Sequence, residues 1–132
     1  MCRVVLGAVI IEAYGQTEVT AIATFIWPGD VVGGHCGGPA GCTLLKLGDV
    51  PELNYYAKDG KGEIMIKVGP SITKGYFKEP EKTAELFDKD GFVHTGDIAQ
   101  LLPNGTIRII DRKKHIFKLA QVCVTGIAIV SP

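Results

Sequence analysis

Residues Phe92–Ile110 read FVHTGDIAQLLPNGTIRII. The middle of this stretch, Pro103-Asn104-Gly105, is a strong hairpin signal, because Asn and Gly tolerate the left-handed backbone that tight turns need. It predicts a strand over Phe92–Leu102, kinked at Gly96, and a returning strand over Thr106–Ile110. Working outward, Asp90-Gly91 is a turn. Glu79–Phe87 (EPEKTAELF) predicts a short helix, with Pro80 at a first helical position and Ala84, Leu86 and Phe87 as its apolar face. Gly62–Val68 (GEIMIKV) reads as a strand, with Ile64, Ile66 and Val68 alternating against Glu63, Met65 and Lys67. Cys42–Asp49 reads as another strand. Val50–Lys61 is a polar connection with a turn at Asp59-Gly60, and Pro28–Gly41 is loop-like. The bulk of the chain is therefore small antiparallel β structure with one helix.

The beginning differs in character. Arg3–Glu12 (RVVLGAVIIE) is continuously apolar and β-branched, as in a strand buried on both faces. It runs into the abruptly polar Tyr14-Gly15-Gln16-Thr17-Glu18, at the kind of strand end where α/β sheets place ligand sites. The whole has 132 residues, the size of one ordinary domain. Lysine and arginine total 14, and so do aspartate and glutamate. A neutral chain argues against a general nucleic-acid binder. A hydrophobic fraction of 46% argues against disorder. The 17 glycines imply many tight turns or backbone-lined sites, since this is nearly twice the usual share of ~7%. Neither apolar stretch, near Val4–Ile11 or Val122–Val130, approaches the ~20 residues of a membrane helix. Cys2, Cys36, Cys42 and Cys123 form no C-x-x-C pair, and we read them as reduced thiols of an intracellular protein.

Taken singly, the candidate chemical groups are weak signals. Tyr14-Gly15-Gln16-Thr17-Glu18 offers an aromatic face, a hydroxyl and an Mg²⁺-binding carboxylate, yet polar residues also crowd ordinary strand ends. Thr95-Gly96-Asp97 sets a carboxylate at a backbone kink, where it can accept two ribose hydroxyls or merely cap a turn. Asp111-Arg112-Lys113-Lys114-His115-Ile116-Phe117-Lys118 is a basic cluster, suited to a nucleotide, a phosphate or CoA, or else a solvated charge run. His35, His94 and His115 lack metal spacing, and neither G-x-x-x-x-G-K-[ST] nor G-x-G-x-x-G occurs. Cys36 has no identifiable partner base and reads as a small hydrophobe.

Three of these motifs, in this order, resemble the adenylate-forming (AMP-binding) superfamily: Tyr14–Glu18, Thr95-Gly96-Asp97-Ile98 and Ile109–Lys114. The intervening Gly62-Glu63-Ile64, Gly69-Pro70, Gly75-Tyr76 and Lys82-Thr83-Ala84 match as well. The stretch from Phe92 to Gln121 is similar to the long-chain fatty acyl-CoA synthetase branch, marked by Lys118-Leu119-Ala120-Gln121. The resemblance covers roughly Cys2–Gln121. It implies an α/β fragment in which strands of the large sheet (1–27) precede the small distorted antiparallel β-barrel subdomain (28–110). The inter-domain hinge (111–121) and a divergent tail (122–132) would follow.

The chemistry implied by the resemblance activates a long-chain fatty acid with ATP·Mg²⁺ to an acyl-adenylate, which the CoA thiol then converts to acyl-CoA. Tyr14, within Tyr14-Gly15-Gln16-Thr17, would stack on adenine, and Thr17 would donate to a phosphate oxygen. Glu18 would hold Mg²⁺. Asp97 would accept both ribose hydroxyls, with Arg112 reaching the same ribose. Lys114 would be the hinge residue and Lys118 the lysine of thioester formation. The partners implied are fatty acid, ATP and CoA, with membrane association only through segments outside this chain. The location would be the cytosolic face of the endoplasmic reticulum, mitochondrial outer or peroxisomal membrane.

Three departures stand out: Ala13 where the family has glycine, one extra residue around Lys67-Val68-Gly69-Pro70 that predicts a register shift there, and the unrelated 122–132. The expectation is a fragment without ligase activity of its own. Its rivals are a non-catalytic truncated isoform that binds nucleotide or the full-length enzyme, and a coumarate-type ligase branch. Arg3–Ile11 is expected to be poorly covered.

Overall fold

A computed structural model of the chain describes residues 7, 9–69 and 72–113. Among these, the backbone forms two antiparallel sheets and one short α-helix. Three two-residue strands, β1 (Ala13–Tyr14), β2 (Thr24–Phe25) and β3 (Gly38–Pro39), make the first sheet in sequence order. The second is a meander of β4 (Thr43–Gly48), β5 (Lys61–Val68), β6 (Val93–Leu101) and β7 (Ile107–Arg112). The predicted hairpin is present: Leu102 N donates to Thr106 O at 2.9 Å, and Gly105 takes φ +80°.

A loop segment ties the two sheets together. Cys36 N donates to Ile107 O, and Ile107 N donates to Gly37 O, on the edge of β7. The same segment continues through β3 into β4, at the opposite edge of the meander. Arg108 Nε adds a bond to Gly34 O at 2.7 Å.

The core explains why the Tyr14–Glu18 segment lies over the meander. Val19, which ends a 3-10 turn at Thr17–Val19, and Ala23 after it pack with Ile64, Ile66 and Val68 of β5, together with Val93 and Ala99 of β6. Apolar residues at alternate positions of β5 thus receive the loop as their cover. Leu86 of the helix α1 (Pro80–Leu86) joins the same cluster. Pro80 opens α1 as expected, but Ala84 is exposed, so the helix buries only its C-terminal end. The turn after it is fastened to the meander: Lys46 binds Asp88 and Asp90, and its ammonium lies 4.3 Å from the Phe92 ring centroid.

Three expectations need correction. The strict alternation in β5 does not hold, because Glu63 and Met65 are buried along with Ile64 and Ile66. A central strand covered on both faces has no solvent side for them. The register shift expected near Lys67-Val68 is absent: β4 and β5 pair without interruption from Thr43↔Val68 to Gly48↔Glu63. The irregularities lie elsewhere, between Glu63 and Met65 and between Ile98 and Ala99. The third concerns Arg3–Glu12. Of its described residues, 7 and 9–12 belong to no strand, and Val9 is 77% exposed. A run that is apolar on both faces needs packing on both, and the described residues leave Val9 and Ile11 exposed. Among the described residues no helix is long and apolar enough to cross a membrane. Lys114, Lys118 and the 122–132 tail lie outside them.

Candidate functional site

The loop between β1 and β2 is forced into its shape by Gly15. A Cβ there would lie 1.8 Å from the carbonyl oxygen of Ala21, so only glycine allows the two backbone segments to meet. The return is held by Ala21 N to Gln16 O and Ala23 N to Tyr14 O. This places Tyr14 and Glu18 above the β6 kink.

The kink carries Asp97, 4% exposed, and two distant residues converge on it. Tyr14 donates its hydroxyl to Asp97 Oδ2 at 2.8 Å, across 83 positions of sequence. Arg112 Nε, on the adjacent strand, donates to Asp97 Oδ1 at 3.0 Å. Most of the Arg112 side chain remains in solvent, so this charge-assisted bond is partly screened. Burial pushes the Tyr14 phenol well above the usual tyrosine range, and the neighbouring Asp97 adds to the effect. It therefore serves as a hydrogen-bond donor at any physiological pH.

Asp97 and Arg112 line a cleft of about 580 Å³, whose wall also includes Gln16, Glu18, Glu63 and Tyr76. Tyr76 donates to Glu18 Oε1 at 2.7 Å, and this bond, with partial burial, raises the Tyr76 phenol. The Gly75-Tyr76 pair reaches Glu18 because it rests on α1: Tyr76 N donates to Thr83 Oγ1 at 2.9 Å. The Gln16 side-chain Nε2 is buried without a hydrogen-bond partner. A buried donor left unpaired is costly, and one lining a cleft calls for an acceptor from a ligand.

The structure thus brings together Tyr14, Gln16, Glu18, Asp97 and Arg112 from the predicted set. Thr17 is exposed and is not among the lining residues. Tyr14 stands behind Asp97, with its ring packed against the core. Glu63 and Tyr76, which lie outside the three motifs, also line the cleft.

Among the described residues no group of three or more His, Cys, Asp or Glu side chains could hold a metal ion. Glu18, Glu63, Glu85 and Asp97 line the cleft, and Mg²⁺ is commonly bound by one or two carboxylates together with nucleotide phosphates and water, so the residues present fit it.

The cleft thus brings a buried aspartate, a guanidinium and an unpaired amide together where a loop crosses a kinked antiparallel strand. The model of the AMP-binding enzyme matches residues 1–77, and the chain belongs to that family. Long-chain-fatty-acid–CoA ligase 1 of Homo sapiens is 58% identical over 119 residues, 90% of this chain. The chain spans 17% of that protein's length. Among solved structures, apo MatB from Rhodopseudomonas palustris superposes with a TM-score of 0.69 at 35% identity, over 82% of this chain and 21% of its own. O-succinylbenzoate coenzyme A synthetase (MenE) from Bacillus subtilis, in complex with AMP, gives 0.69 at 26% identity over 85% and 23%. These relatives bear out the adenylate-forming reading of the fold as part of a large domain.

Proposed function

We propose that this chain supplies the adenosine side of the active site of an ATP-dependent long-chain fatty acid–CoA ligase. The observation that carries the proposal is the convergence of Tyr14 and Arg112 on the buried Asp97, at the rim of a cleft that also holds Glu18. Asp97, fixed from both sides, presents its remaining lone pairs to the two ribose hydroxyls. Arg112 reaches the same sugar from its exposed end. The free Gln16 donor takes an acceptor on the nucleotide, while Tyr14 holds Asp97 in place from behind. Glu18, oriented by Tyr76, is the residue that would hold Mg²⁺, which neutralises charge developing on the phosphates.

In the complete reaction a fatty carboxylate oxygen bonds to the α-phosphorus of ATP and pyrophosphate leaves. The CoA sulfur then bonds to the acyl carbon and AMP leaves. Residues 1–27, 28–110 and 111–121 are assigned to large sheet, barrel subdomain and hinge, with Lys114 and Lys118 as the hinge and thioester-forming lysines. Because β3 pairs with β2 across residue 28, the first boundary is one of sequence rather than of packing. The membrane location, on the cytosolic face of an organelle, follows the long-chain branch.

The 132 residues alone are proposed not to turn over. A coupled pyrophosphate-release assay with palmitate, ATP and CoA tests this, and turnover above background would refute it. Equilibrium dialysis with labelled AMP tests the site: binding that Asp97→Ala abolishes supports it, whereas binding indifferent to that change counts against it.

A further inference from the structure

Glu63 has no part in the reading above, yet its surroundings are the least ordinary in the meander. It is only 7% exposed within β5, between Gly62 and Ile64. Opposite it, β6 carries surplus residues. Glu63 pairs with Ile98 and Met65 pairs with His94, so Ile64 alone faces Thr95, Gly96 and Asp97. A bulge of this kind loses its ladder hydrogen bonds and must replace them.

Two side chains make the replacement. Thr95 Oγ1 donates to Ile64 O at 2.7 Å and accepts from Asp97 N at 3.1 Å. Gly96 N donates to Glu63 Oε1 at 3.0 Å, while Gly96 holds φ at +72°. Asp97 is the next residue, and its direction is set by how this bulge is pinned.

We propose that Glu63 is the positioning residue of the site: its carboxylate oxygen captures the Gly96 N–H and so fixes the bulge that aims Asp97 at the ribose of a bound adenine nucleotide. The proposal rests on the reading that Asp97 receives ribose hydroxyls. The second oxygen of Glu63 is less closely engaged, 3.4 Å from His94 Nδ1 and 3.9 Å from Lys113 Nζ. Reach to Gly96, rather than negative charge, is therefore the property that matters. Glu63→Gln keeps an acceptor oxygen at the same reach. Glu63→Asp keeps the charge but withdraws the oxygen by about 1.5 Å, one carbon–carbon bond.

The test is the affinity of the full chain for AMP against 2′,3′-dideoxy-AMP, measured by NMR titration, with circular dichroism to check that each variant is folded. The wild type is expected to prefer AMP by about tenfold or more, as charge-assisted hydrogen bonds to two hydroxyls require. Asp97→Ala removes the preference. Glu63→Gln keeps it, and Glu63→Asp and Glu63→Ala bring it close to one.

A preference that is lost in Asp97→Ala but intact in Glu63→Asp and Glu63→Ala overturns the role of Glu63 alone. No preference in the wild type overturns the ribose reading, and the proposal falls with it. Should the Glu63 variants fail to fold, amide exchange at Gly96 in the wild type decides the matter. Slow exchange supports the captured N–H, and exchange at the rate of an open loop contradicts it.

Discussion

Gly15 shows how one missing methyl group can position a site. Its backbone touches that of Ala21 so closely that any side chain must push the loop apart. Gly15→Ala is expected to cost about 3 kcal/mol or more in urea unfolding, at the upper end for overpacking against rigid atoms. The sequence revealed the Tyr14–Glu18 motif but not this contact, because Ala21 becomes its neighbour only after the chain has turned. Asp88 offers a second test at this scale. Its hydrogen bond and ion pair with Lys46 hold its carboxyl down, from 3.8 to about 2. A depressed carboxyl stabilises the fold at pH values above its unfolded pKa and ceases to do so as pH falls through the folded one. Wild-type stability should therefore decline between pH 3.8 and about 2. Asp88→Asn, followed by acid titration of thermal unfolding, should show a flatter decline in that window, and added salt should narrow the difference.

At the scale of elements, the hairpin, β4, β5 and α1 were legible because each carries its own local signal: Asn104-Gly105, an apolar run bounded by turn residues, or Pro80 at a helix start. Gly105 allows that logic to be measured. It holds φ +80°, and a Cβ there would meet nothing within 4 Å, so Gly105→Ala isolates the backbone cost. The expected loss is about 1–2 kcal/mol by chemical denaturation, with unchanged nucleotide binding. The bulges of β6 were only half legible. Gly96 signalled a kink, but the surplus residues opposite Ile64 arise from pairing between strands and leave no local trace. The placement of Glu63 was hidden for the same reason: alternation assigns it to solvent, whereas the bulge draws it inward to Gly96. Conversely, the two-residue strands of the first sheet are too short for any periodicity to announce them.

For the whole molecule, the apolar surface is as informative as the site. Val9, Ile11, Trp27, Val31 and Val32 are exposed, with Trp27 at 72%. Leu44 and Phe77 are exposed as well, Phe77 at 87%, and so much bared apolar surface is a mark of surface made to be covered. The chain also spans 17% of the ligase it matches at 58% identity. Both observations fit a segment that packs within a larger body, and the motif order across Tyr14, Asp97 and Arg112 made that family legible in the sequence. The central claim is that those three residues form the adenosine side of a nucleotide site. Thermal unfolding of the full chain by circular dichroism, with and without a non-hydrolysable acyl-adenylate mimic, tests it most directly when wild type and Asp97→Asn are compared. A ligand that binds the folded state raises the midpoint. The account predicts a rise in the wild type that is lost in Asp97→Asn; the same midpoint change in both proteins, or none in the wild type, would contradict it.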